Sequence, residues 1–92
     1  MLIGHFTEQP WQDETSGLMG TQSTDLSISN SLYNPAVGAQ LYNRYLDEKV
    51  YAEEMGFDFF GTSEQHFLVG LATVSAPESF YPAIAMRTSR IR

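Results

Sequence analysis

The sequence predicts an α/β fold of parallel strands, a βαβα arrangement that forms a single partial domain over residues 1–92. Three observations carry this. Asn34-Pro35 opens a long helix with an apolar stripe, and Gly56 closes it. Phe57 to Ser63 follows at once and is apolar on both faces apart from Asp58, as strands are when helices cover both sides of a parallel sheet. Leu2 to Thr7 is a second apolar run at the start of the chain, and two such runs joined through a helix make a βαβ unit.

Taken in order, the first strand spans Leu2 to Thr7 and has ended by Pro10, which has no N–H to give a ladder. Trp11 to Asn34 is rich in Ser, Thr, Gly, Asn and Gln and reads as one long loop, a functional lid or a disordered connection. Leu26, Ile28 and Leu32 would dock it, and Trp11 at its base reads as packing ahead of recognition. Asn34 is the N-cap of the helix, because its side chain can accept from an orphan N–H, and Pro35 has no N–H to waste. Val37, Leu41, Tyr45, Leu46, Val50 and Met55 form the stripe, with Tyr42 and Tyr51 on its flanks. Arg44 and Glu48 pair on the outer side, worth about 0.2–0.5 kcal/mol. After the second strand comes a loop from Glu64 to Pro77 containing Gly70, then a helix within Glu78 to Ser89. Ser79 is the expected cap and Pro82 falls in the first turn, with Ala83, Ile84 and Met86 facing the core. Arg90-Ile91-Arg92 reads as the approach to a third strand.

Composition narrows the functions. A chain of 92 residues with 42% apolar content can bury one modest core. Eleven acids against five bases leave a net charge of -6, and no basic cluster precedes Arg87, so a nucleic-acid surface is not expected. Cysteine is absent, which removes disulfide and thiolate chemistry and fits a cytoplasmic setting. No stretch approaches the roughly 20 apolar residues of a membrane span, and the N-terminus lacks the basic region of a signal peptide.

Ligands of α/β folds collect at the carboxyl ends of the strands. Glu64, Gln65 and His66 fall at that end of the second strand, and Glu8 and Gln9 at that end of the first. A carboxylate and an imidazole two residues apart suit acid–base work. The alternative is structural: Glu64 binding loop amides, and His66 a satisfied core histidine. A metal set of His5, Glu64 and His66 would need the two strands to point these groups together, and no metal is expected. Gly17 and Gly20 match no phosphate-binding fingerprint.

Three motifs in order bring a resemblance. They are Leu46-Asp47-Glu48-Lys49-Val50-Tyr51-Ala52-Glu53-Glu54-Met55-Gly56-Phe57-Asp58, then Ser63-Glu64-Gln65-His66-Phe67, then Ala85-Met86-Arg87-Thr88-Ser89-Arg90-Ile91-Arg92. Together with Ile3-Gly4-His5-Phe6 they resemble the N-terminal part of the bacterial-luciferase-like, flavin-dependent monooxygenases, over most of the chain except Trp11 to Asn34. The resemblance implies a (β/α)8 barrel that binds reduced FMN, supplied by a flavin reductase, or in one branch a deazaflavin. It implies oxidation of a small organic substrate, of aldehyde or alkane type, by oxygen. Glu64 and His66 are then the catalytic candidates, and Gln65, Phe6 and Glu64 the cofactor contacts. Luciferases proper keep a histidine where this chain has Gln65, which cannot shuttle a proton at neutral pH, so light emission is not expected. A whole barrel takes about 250 residues. The chain therefore reads as the first two βα units, a fragment inactive alone, whose full-length form would be a homo-oligomer.

Overall fold

The computed structural model describes residues 1–13, 27–66 and 76–92. Its elements run β1 (Gly4–Thr7), α1 (Pro35–Glu54), β2 (Phe59–Thr62) and α2 (Pro77–Ala85), with a 3-10 turn at Asn30–Leu32 ahead of α1. The two strands pair in parallel, Gly4 with Phe59 through Thr7 with Thr62. The architecture is thus α/β, a two-stranded parallel sheet with two helices. Leu26, Gly17, Gly20, Phe67 and Gly70, singled out above, lie outside the described residues.

Helix α1 begins and ends as its capping residues require. The Asn34 side chain accepts from the N–H groups of Ala36 and Val37, and Pro35 occupies the first turn. At the other end Gly56 has φ 91°, a left-handed conformation that side chains oppose. That turn lets Gly56 N–H reach Glu53 O and Phe57 N–H reach Ala52 O, at 3.0 Å each, so two terminal carbonyls are satisfied and the chain is aimed into β2.

Leu41, Tyr45 and Leu46 of α1 meet Phe80 and Ile84 of α2, and Trp11 completes this buried cluster. Burial of each large apolar side chain is worth about 1.5–3 kcal/mol. Trp11 is only 3% exposed and packs on Tyr33, so it serves packing. Ile28 also packs against the cluster, whereas Leu32 is exposed. Two expected core positions, Met55 and Met86, lie outside. Met55 caps the helix just before the turn at Gly56, and Met86 sits past the last residue of α2. Helix α2 starts at Pro77, earlier than expected, and Ser79 does not cap it. Pro77 needs no N–H in the first turn, so proline rather than serine sets the start. Pro82 consequently lies inside the helix, where it cannot donate to the carbonyl four residues back.

One carboxylate fastens the segment after α2. Glu53 accepts from the backbone N–H groups of Ser89, Arg90 and Ile91, and Arg90 donates to the Glu53 carbonyl. Arg87, two residues past α2, pairs with Asp47 of α1 at 2.9 Å, so the segment after α2 is tied to α1 twice. Held there, Arg92 donates to Asp58 O and accepts from Phe60 N–H, the two-bond bracket of a parallel strand. At the start of the sheet the Asp58 carboxylate accepts from Ile3 N–H at 2.9 Å, while Asp58 N–H donates to Ile3 O.

Two expected outcomes follow from these turns. Gly56→Ala should lower stability by about 1 kcal/mol in urea melts, through backbone strain alone, because a Cβ there meets nothing within 4 Å. The amides around Glu53 hold its carboxyl below the usual range, so its contribution is present above pH 4.5 and is lost as pH falls through the depressed value. Glu53→Gln should lower stability at pH 7 and flatten the acid side of the stability profile, read by melts across pH.

Candidate functional site

The sheet has two unlike faces, because neighbouring strand residues point to opposite sides. His5 meets Lys49 of α1, and Phe60 meets Tyr81 of α2 edge to face, so His5, Thr7, Phe60 and Thr62 face the helices. Gly4, Phe6, Phe59 and Gly61 face away. There each glycine sits under its partner's ring: a Cβ on Gly4 would fall 2.2 Å from the Phe59 ring, and one on Gly61 3.1 Å from that of Phe6. Phe6 is 63% exposed, and Ile3, Leu2 and Phe59 are exposed with it. This leaves an apolar, glycine-floored face without cover from the described residues.

At the carboxyl ends of the strands the expected residues divide into two groups. His66 Nε2 donates to Glu64 Oε1 at 2.8 Å, and both side chains are 55% exposed. The acid–base pair thus exists as a contact at the surface, and His66 is not a core histidine. Gln65 between them is half-buried. From β1, Glu8 points to solvent, but Gln9 is fully buried with φ 55°. Its N–H donates to Thr7 Oγ1, and its side-chain carbonyl accepts from Thr62 Oγ1 at 2.7 Å. Gln9 Nε2 and Ser63 Oγ are buried with no hydrogen-bond partner among the described residues. The ends of β1 and β2 are therefore stitched side chain to side chain, with two polar atoms left over beside the stitch.

The most heavily buried charge was not foreseen. Lys49 is 0% exposed, under the sheet. Its Nζ donates to His5 Nδ1 at 3.1 Å and stands 5.7 Å from the centre of the Phe60 ring. Burial brings the ammonium down to about 8. Burial, and then the Lys49 charge, lower His5 as well. Lys49 lies three residues past Leu46 and four past Tyr45, so its place on the inner stripe was in the sequence; its charge argued for the outer face. Tyr45 beside it donates to Pro10 O, and burial pushes its hydroxyl up to about 12.

His5 belongs to this lysine and not to Glu64 and His66, and no three metal-binding side chains cluster among the described residues. A hollow of about 450 Å³ lies between β2 and α2, lined by Phe60, Tyr81, Ile84 and Thr88 among others. None of Glu64, Gln65 and His66 lines it. Among the described residues no helix is long and apolar enough to cross a membrane. No protein-family description, curated protein or solved structure matches the chain.

Burying a charged Lys49 sets a pH dependence. The unfolded lysine titrates near 10.5 and the folded one near 8, so between these values the unfolded chain holds the extra proton and stability rises with pH. Lys49→Met should abolish that alkaline rise and raise stability at pH 7 by about 1–4 kcal/mol, checked by urea melts from pH 7 to 10.5.

Proposed function

We propose that the chain is the N-terminal βαβα portion of a (β/α)8 barrel in a luciferase-like, flavin-dependent monooxygenase, forming one wall of its flavin pocket. The observation that carries the reading is the Glu64–His66 contact at the carboxyl end of β2, beside the end of a parallel β1. The bracket that Arg92 makes on β2 agrees with a sheet that continues in the parallel sense. The motifs behind the resemblance also meet one another, since Glu53 of the first holds Ser89 to Ile91 of the third.

The residues suit the ring of a flavin better than its phosphate. Phe6 offers an exposed aromatic surface, while Gln65 and His66, three and four residues past β2, offer hydrogen-bonding groups. The five bases are engaged elsewhere or lie at the other end of the sheet: Arg44 with Glu48, Lys49 with His5, Arg87 with Asp47, Arg90 with Asp58 and Glu53, and Arg92 beside β2. The phosphate would thus be bound by later parts of a barrel. Reduced FMN would supply the electrons that let oxygen oxidise a small organic substrate. In this role Glu64 orients the imidazole by accepting from its Nε2–H, and His66 exchanges a proton with the bound reactants. Gln65 holds a ring edge by hydrogen bonding and takes no proton. A deazaflavin would meet the same residues. A flavin reductase as electron source, self-association of the full-length protein and a cytoplasmic location belong to the same proposal.

A second reading is a non-catalytic piece that binds a partner or a second copy through the bare sheet face, favoured by the exposure of Leu2, Ile3, Phe6 and Phe59. Fluorescence titration separates the two. Oxidised and anaerobically reduced FMN, and a deazaflavin in parallel, should bind the chain saturably. His66→Asn should weaken the preferred cofactor about tenfold, the worth of one hydrogen bond to a charged group. Absence of binding by any of the three, with a dimer in sedimentation, would leave the second reading in place of the first.

A further inference from the structure

The His5–Lys49 contact lies outside the proposed flavin site, and its chemistry is that of a switch. A fully buried ammonium requires an acceptor, and the Nδ1 lone pair of His5, 3.1 Å away, is in place to serve as one. The imidazole offers that lone pair only when neutral, with its proton on Nε2. Protonation at Nδ1 would set N–H against N–H across 3.1 Å, one cation against another. The lysine would then be buried without an acceptor.

We propose that His5 and Lys49 form an acid-released latch between β1 and α1: neutral His5 holds Lys49 beneath the sheet, and protonation of the imidazole frees β1 from the helix. The surroundings leave little to offset the new charge. From α1 the charged groups are Lys49 and Glu48; Glu48 favours a cation at His5, but burial and Lys49 outweigh it. From the connection before β2, Phe57 meets the His5 ring edge on at 5.8 Å, and from β2 the register partner is Phe60; neither carries charge. The direction follows from linkage. The folded imidazole titrates below its ordinary 6.5, so the unfolded chain binds the proton first and stability falls as pH drops below 6.5. Because opening lets Lys49 reach water, the cost of burying it drives the release. The consequence reaches the strand end. Gln9 lies two residues past β1 and its bond to Thr62 joins the two strand tips, so release would part them. None of this depends on a flavin.

The test is hydrogen exchange at the amides of β1, corrected for intrinsic rates, at pH 7.5 and pH 5. Protection across Gly4–Thr7 should fall about tenfold at the lower pH, while α1 keeps its protection. In His5→Gln, whose side-chain carbonyl can accept from Lys49 at either pH, the loss should disappear. Imidazole 15N shifts of the unmodified chain at pH 7.5 should show the Nε2–H form of His5, a measurement that needs no variant. Equal protection at both pH values, the same loss in His5→Gln, or an Nδ1–H tautomer would each overturn the latch.

Discussion

The carboxylate of Glu53 holds the fold together at the point where its two βα units meet. It stands in the last turn of α1 and gathers three successive amides from the segment after α2. Without it those three N–H groups would have to find other acceptors. With it, Arg92 comes alongside β2 and Arg90 comes within 4.0 Å of Asp58. Asp58 in turn clamps Ile3 and so sets where β1 begins. Glu53 thus holds the segment after α2 beside β2, and the Asp58–Ile3 bonds hold the approach to β1 against the approach to β2.

That linkage also gives several residues of the motif runs a structural role. Glu53, Gly56, Asp58 and the run from Thr88 to Ile91 serve architecture: a capped helix, a reversed turn, a clamped strand and a held segment. Glu64 and His66, by contrast, are exposed and pair with each other past the carboxyl end of β2. The backbone-holding contacts of Glu53 and Asp58 thus lie toward the amino ends of the strands, and the Glu64–His66 contact lies past the carboxyl end of β2.

Features governed by neighbours in sequence were legible, and features governed by distant partners were not. The start at Asn34-Pro35 and the stop at Gly56 could be read because capping is settled within four residues. The Arg44–Glu48 pair, at 3.4 Å, was readable for the same reason. Ser79 was misjudged because two N-terminal signals competed and Pro77 prevailed. The burial of Lys49 escaped notice because its acceptor is His5, 44 residues away. Gln9 likewise reads as a loop residue until Thr62 is brought beside it, and the Glu53 contacts join positions more than 35 residues apart. At the candidate site, the pairing of Glu64 with His66 was legible from spacing, whereas the open apolar face behind Phe6 required the sheet register.

Trp11 brings one more property. It is the sole tryptophan of the chain, it follows β1 by four residues, and it is buried against Tyr33 and the helices. An indole so placed changes surroundings whenever the N-terminal segment leaves the helices. Its emission is therefore an intrinsic optical gauge of first-strand docking.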